Sequence, residues 1–380
     1  MKICLLVPSF LPGIGGLEKA ADTLATLMQS WGHRPVVLAQ RSHAQTEGLE
    51  RPYPIHVHPR PRSATWWPHC ITAALNRWHQ HYDFDLIWAF QAYPQGYAAV
   101  CTGRRQRLPV VISSRGGDIS DRSRYLRRGL PKRRIAWALR HAAAVTTLNR
   151  HLSRRVETLT EGQTCPHLIF NGVALPSDIP ERGQPPAALK DLRDRPYMLT
   201  MTRLHRFKGI DLIIAAVGLL KSRGVSLPLL VIAGSGSQGR ALREQVVEND
   251  LASDVRFTRD VAPLEKTWLL AHCQFLVQPS REGEGMPNSV LEAMSYAKPI
   301  LGADSPGISE LVTDGVCGML SPPEDASLLA EALERMMNSD VAQLGRSALS
   351  VAQTHTWERC TRQYLELFEA IVNDLGPGKK

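Results

Sequence analysis

In the stretch REGEGMPNSVLEAMSYA, residues 281–297, Glu284 and Glu292 stand with seven residues between them, on either side of a Met-Pro-Asn-Ser run. The apolar run 275–278 reads as a strand and 279–287 as a glycine-bearing loop. The following helix starts close to Pro287, a residue suited to a first helical turn, with Asn288 and Ser289 free to satisfy open amides. A loop at the carboxyl end of a parallel strand is where doubly wound sheets bind ligands. The N–H groups of Gly285, Met286 and Asn288 favour an anion, most obviously a phosphate. Carboxylates beside a diphosphate would repel it, so Glu284 and Glu292 are expected to accept hydrogen bonds from hydroxyls. A ligand with phosphates and several hydroxyls is a sugar nucleotide, and one carboxylate can take both hydroxyls of a vicinal diol. The plainer account of Glu292 is that it complements the helix dipole, worth about 0.3–1 kcal/mol.

A diphosphate needs cations. In TRLHRFKGIDLIIAA, residues 202–216, Arg203 and Lys208 follow the strand-like run 197–202 and precede a helix, so they too lie at a carboxyl end. Arg203 suits a planar two-point contact and Lys208 a point contact. Alone, such a pair is usually surface charge; beside the Glu284 loop it reads as function.

The elements that must position these residues follow from periodicity. Short runs rich in Val, Ile and Leu alternate with longer amphipathic ones, the signature of a parallel sheet built from βαβ units. Strands are expected at 2–7, 35–39, 86–89, 110–113, 144–147 and 168–170, and again at 197–202, 229–233, 255–257, 275–278, 299–303 and 318–320. Ala21, Leu24, Leu27 and Met28 share one face of a helix over 17–30, which Gly32 follows as a helix-ending glycine. The expected layout is a first domain at 1–175, a proline-rich linker at 176–195, a second domain at 196–356, and a last helix in 357–380 that packs back on the first. Each half of a chain of 380 residues, 43% hydrophobic, can form its own core.

The seven cysteines form no C-x-x-C pair and read as apolar fillers in a reducing compartment. The N-terminal apolar run is too short for a signal sequence, and no run reaches the roughly 20 residues of a membrane span. The expected location is therefore cytoplasmic, with peripheral binding to the inner membrane face left open. The net charge of +9 is uneven: residues 101–155 hold fifteen Lys and Arg against two Asp, a local charge of +13. Residues 122–134 are its densest part. They suit an anionic membrane surface or a phosphorylated acceptor, or form a solvated face. No nucleic-acid module accompanies them.

The spacing of Glu284 and Glu292 within PSREGEGMPNSVLEAM resembles the E-x7-E motif of the retaining glycosyltransferases of family four, which have the GT-B fold. GIGGLEKAADTLATLM (13–28), FNGVAL (170–175), TRLHRFKGIDLIIAA and ADSPGISELVTDGVCGML (303–320) fit as well, so the resemblance runs nearly end to end. It implies two Rossmann-like α/β domains facing a cleft, with the donor nucleotide on the second. Glu292 would hold the ribose and Glu284 the donor sugar. The backbone at Gly285, Met286, Pro287 and Asn288 would assist, while Arg203 and Lys208 bind the diphosphate. Gly15 and Gly16 would lie in the loop that meets the leaving group. Catalysis would fall to Glu284, Arg203 and Lys208, and the acceptor would be a glycan, lipid-linked or phosphorylated sugar. Many relatives carry a histidine where VVISSRGGDI offers Arg115, a guanidinium that cannot act as a base. Arg115 would then give electrostatic help, with Asp118 as an acceptor contact. No cofactor is implied beyond the nucleotide-sugar substrate.

Other signals point elsewhere. Gly234, Gly236 and Gly239 form a G-x-G-x-x-G after a strand, which proposes an NAD(P)-dependent oxidoreductase. No clear acidic residue ends a following strand, so a tight turn is expected instead. Asp83 and Asp85 form a D-x-D at the amino end of a strand, where a turn is the expected role. With no His or Cys cluster at ligand spacing, no obligatory metal is expected. Trp66 and Trp67 are assigned to an acceptor-side loop. A sugar-nucleotide epimerase of the same fold is the nearer rival.

Overall fold

The computed structural model describes residues 1–12, 15–40, 50–59, 66–120, 123–281 and 285–374. The chain divides into two compact units, Met1–Asn171 with the chain from Trp357 onward, and Gly172–Thr356.

In unit 1 seven strands form a parallel sheet: β1 (Lys2–Val7), β2 (Arg34–Gln40), β3 (Ile55–His58), β4 (Leu86–Phe90), β5 (Val110–Ser114), β6 (Ala144–Thr147) and β7 (His167–Leu168), in the order β3-β2-β1-β4-β5-β6-β7. Strands covered on both faces read as unbroken apolar runs, and β1 and β4 are buried almost throughout. The strand absent from the sequence reading is β3, IHVH, because two histidines and partial exposure break the apolar run. The helix Gly16–Ser30 buries Ala20, Ala21, Leu24, Ala25 and Met28 in one stripe, and the chain leaves it through Gly32 at φ +85°. The helix Trp357–Asp374 adds Tyr364 and Phe368 to the core, with ring centroids 4.4 and 5.1 Å from that of Trp88.

Unit 2 repeats the winding with six parallel strands: β8 (Tyr197–Met201), β9 (Leu229–Ala233), β10 (Val255–Arg259), β11 (Leu276–Gln278), β12 (Ile300–Ala303) and β13 (Gly318–Ser321), in the order β10-β9-β8-β11-β12-β13. Ile213, Ile214, Val217 and Leu220 pack with Leu329, Leu333 and Met336 against one face.

The boundary differs from the expected 175/176. The proline-rich stretch is fastened to unit 2: Leu189 and Leu192 are buried, Asp191 pairs with Arg256 at 2.9 Å, and the Pro180 carbonyl accepts from His272 at 2.8 Å. The two ends of unit 2 also meet, since Val173 bridges Thr356 and its N–H donates to the His355 carbonyl at 2.8 Å. None of the seven cysteines, all among the described residues, is in a disulfide, and burial pushes the Cys273 thiol up to about 12. Among the described residues no helix is long and apolar enough to cross a membrane.

Phe368→Ala is expected to destabilise unit 1 by about 3–5 kcal/mol. The measurement is urea unfolding; a midpoint equal to that of the unmodified chain would show that this helix is not part of the core's stability.

Candidate active site

The strand order of unit 2 reverses between β8 and β11, so the loops leaving these strands flank the switch point where open α/β sheets bind ligands. The first runs from Thr202 through the turn Arg206–Lys208 to Gly209, and the second begins at Pro279. They touch backbone to backbone. Gly209 has φ +66°, and a Cβ placed on it would lie 1.9 Å from the Pro279 carbonyl oxygen, so only glycine fits. Arg281 fastens the same junction. Its N–H donates to the Phe207 carbonyl at 2.9 Å, and its guanidinium donates to both Asp211 oxygens, Nη1 to Oδ1 at 2.6 Å and Nη2 to Oδ2 at 2.5 Å. Nη1 also reaches the Arg206 carbonyl at 2.7 Å. A fork of this geometry is among the stronger polar contacts a loop can have.

These braces hold Lys208, which is 8% exposed with Nζ 5.2 Å from the Phe207 ring centroid. Arg203, in the same loop, is exposed. Glu284, with residues 282 and 283, lies outside the described residues. Beyond them, Met286 and Pro287 are buried, Gly285 is partly so, and the helix Asn288–Ser295 begins with Pro287 as a cap that supplies no side-chain hydrogen bond. Ser289 does not serve the helix amides as expected. Its hydroxyl donates to Gln278 Oε1 at 3.2 Å, and Gln278 Nε2 donates to Ser280 at 2.9 Å, tying the helix start to the end of β11.

Glu292 stands in the second turn of that helix. Its Oε1 accepts from Lys266 Nζ at 2.5 Å, with both side chains about a quarter exposed. Lys266, from the helix Pro263–His272, is the residue that sequence reasoning missed; PLEKTW has no motif, and only the packing brings it to Glu292. The pair holds the carboxylate in one orientation.

Glycines of the G-x-G-x-x-G motif have a different neighbour from a dinucleotide. A Cβ on Gly234 or Gly236 would lie 2.1 Å from the Thr202 oxygen or 2.4 Å from the Leu204 oxygen. The Leu204 N–H donates to the Ser235 carbonyl and the Gln238 N–H to the Leu204 carbonyl. The motif is thus a seat for the Arg203 loop. An acidic residue does follow the next strand, contrary to the sequence reading: Asp260 comes after β10 and accepts from Ser235 Oγ at 2.8 Å.

In unit 1, Gly15 caps the helix that Gly16 begins, while Ser9 Oγ donates to Glu18 in its first turn. Arg115, at the end of β5, donates from Nη2 to Asn171 Oδ1 and lies over the Phe90 ring, 5.1 Å from its centroid. Asp118 is fully buried and serves the fold, where an acceptor contact was expected. Its Oδ2 accepts from the Ala92 N–H at 2.5 Å and its Oδ1 from Ser114 at 2.9 Å. Burial raises its pKa, and these hydrogen bonds pull it back toward the usual range. The D-x-D closes a turn: Asp85 accepts from the Lys2 N–H at 2.8 Å, and Asp83 ends the helix Trp67–Tyr82 at φ +53°. Trp67 is buried at the start of that helix and Trp66 is exposed. Among the described residues no three His, Cys, Asp or Glu side chains are grouped to hold a metal.

Gly209→Ala is expected to cost about 1–3 kcal/mol from the backbone conformation alone. A melting curve equal to that of the unmodified chain would sink that account of the junction. Asp118→Ala should lower stability by about 1–3 kcal/mol by orphaning the Ala92 N–H, read by urea unfolding; an unchanged midpoint would leave Asp118 without its structural role.

The family described as glycosyl transferases group 1 matches residues 195–339, and glycosyltransferase family 4 matches residues 14–175. An uncharacterized glycosyltransferase of Methanocaldococcus jannaschii is 22% identical over 294 residues, covering 76% of each chain. The amylovoran biosynthesis glycosyltransferase AmsK of Erwinia amylovora is 28% identical over 193 residues, 48% of this chain and 47% of its own, so here the match spans about half the relative's length. The crystal structure of Anabaena HepE in complex with UDP-glucose superposes with a TM-score of 0.78 at 19% identity, covering 97% of this chain and 100% of that one. Two matched family regions, and two parallel α/β units of the same winding, place this chain in the family-four glycosyltransferases, with the GT-B fold.

Proposed function

We propose that the chain transfers a hexosyl group, with retention, from a nucleoside diphosphate sugar held by unit 2 to a glycan or lipid-linked acceptor held by unit 1, in the synthesis of a surface polysaccharide or glycolipid. The observation that supports this is the braced junction at the β8/β11 switch point, where the loop that carries Arg203 and Lys208 packs on Pro279 and Arg281, ahead of the Asn288–Ser295 helix that carries Glu292. AmsK, by its name, serves amylovoran synthesis, and HepE was crystallised with UDP-glucose, so UDP-hexoses are the first donors to test.

In this reading the bond between the anomeric carbon and the diphosphate oxygen breaks, and the charge that grows on the leaving group meets Arg203, Lys208 and the amides near the helix start. The departing phosphate oxygen takes the acceptor hydroxyl's proton on the same face, and the acceptor oxygen bonds to the anomeric carbon. Glu292 holds the ribose diol and Glu284 orients the donor sugar. The two cations supply the charge that a metal would otherwise bring, so chelator should leave the rate unchanged. The exposed Arg127, Arg128, Lys132 and Arg133 around exposed Leu130 suit an anionic membrane that carries the acceptor.

Glu292→Ala is expected to raise the dissociation constant of the UDP-sugar about tenfold, near 1.4 kcal/mol, with the fold intact by circular dichroism; unchanged affinity in calorimetry would remove the ribose from this position. Lys208→Ala should lower kcat by about 10²–10³, and a product that is an epimerised sugar with no acceptor consumed would favour the epimerase. Flotation with phosphatidylglycerol vesicles should show binding that weakens as salt rises. No binding at low salt would dismiss the membrane role.

A further inference from the structure

Unit 1 has its own hollow of about 440 Å³ at the carboxyl edge of its sheet, within the size range of small-molecule pockets. Pro8 after β1, Gln40 at the end of β2, and Gln91 and Gln95 after β4 contribute to its walls. Gln95 stands out. Its side chain is wholly buried, yet neither Oε1 nor Nε2 has a hydrogen-bond partner. Such an amide is costly to a fold unless something else completes it. Its place is fixed, because it belongs to the turn Ala92–Gly96 whose first N–H is held by Asp118.

Gln91 enters that turn at φ +120°, a conformation that costs a residue with a side chain. Hydrogen bonds on both sides hold it: its N–H donates to the Ser113 carbonyl at 3.0 Å, and its carbonyl accepts from Gly96 at 2.9 Å. Its Nε2 lies 3.9 Å from where a Cβ on Gly117 would sit, so the two face each other within the hollow. Trp67 and Tyr125 add aromatic surface, and Arg124 lies over the Tyr125 ring, 5.1 Å from its centroid. No carboxylate is among the described lining residues.

Amides paired with aromatic faces fit a pyranose: each amide offers one donor and one acceptor group to neighbouring hydroxyls, and a ring plane covers the C–H face. We propose that this hollow seats the terminal sugar ring of the acceptor, a pyranose with vicinal hydroxyls bound by Gln95 and Gln91. The inference rests on the transferase reading and adds the substrate class that unit 1 takes.

The test is saturation-transfer NMR on the full chain with methyl glycosides of glucose, galactose, mannose and N-acetylglucosamine as probes, beside calorimetry with UDP. The unmodified protein should bind at least one glycoside, and Gln95→Leu and Gly117→Leu should each weaken it about tenfold or more, with UDP affinity unchanged. Gln95→Leu removes the unpaired amide, so its melting temperature should hold or rise, which separates lost binding from lost folding. Gly117 lies outside the left-handed region, so its leucine would fill the hollow without backbone strain. Equal glycoside binding in all three proteins overturns the proposal, as does the absence of any glycoside binding when UDP binds normally. Glycoside binding that is lost in both variants, in a protein that binds no nucleotide sugar, would sustain the pocket and overturn the transferase reading.

Discussion

The candidate site of unit 2 depends on two backbone segments lying closer than any side chain permits. Where Gly209 meets the Pro279 carbonyl there is no room for a methyl group, and the Arg281–Asp211 fork locks the contact. Gly234 and Gly236 press in the same way on the carbonyls of Thr202 and Leu204. The position of the Arg203–Lys208 loop is therefore fixed by backbone on two sides.

The two units use the same winding for different chemistry. In each, the strand order reverses beside the first strand, and the loops at that point carry the candidate site residues. Unit 2 furnishes its edge with cations, a helix start and a carboxylate oriented by Lys266. Unit 1 furnishes the corresponding edge with amides and aromatic rings, held by a buried aspartate that binds the backbone of the loop. Charge suits a diphosphate, and neutral hydrogen-bonding groups suit hydroxyls.

Much of this is legible in the sequence. Buried parallel strands must be apolar throughout, so β1, β9 and β11 announce themselves, while IHVH at β3 does not, because its faces are not both covered. Arg203, Lys208 and Glu292 stand out as candidates because a loop at a strand's carboxyl end is short and its motif is local. Lys266, the Gln278–Ser289 contact and the buried amide of Gln95 are not, since each depends on which segments the fold brings together. Asp118 shows the opposite difficulty: an aspartate near a glycine pair reads as a ligand contact, but its burial and its backbone partner make it a brace. The G-x-G-x-x-G motif, expected as a tight turn, does pack tightly, though glycine marks close approach without saying what approaches.

The bridge between Val173 and Thr356 bears on the order in which the molecule is made. Unit 2 is one unbroken stretch whose ends already meet, whereas unit 1 is split around it. The aromatic cluster at Trp88 lacks Tyr364 and Phe368 until all of unit 2 has been translated. During synthesis the segment made first is therefore the last to complete its core, and the sheet of β1 and β4 waits with an uncovered apolar face while its successor can already close.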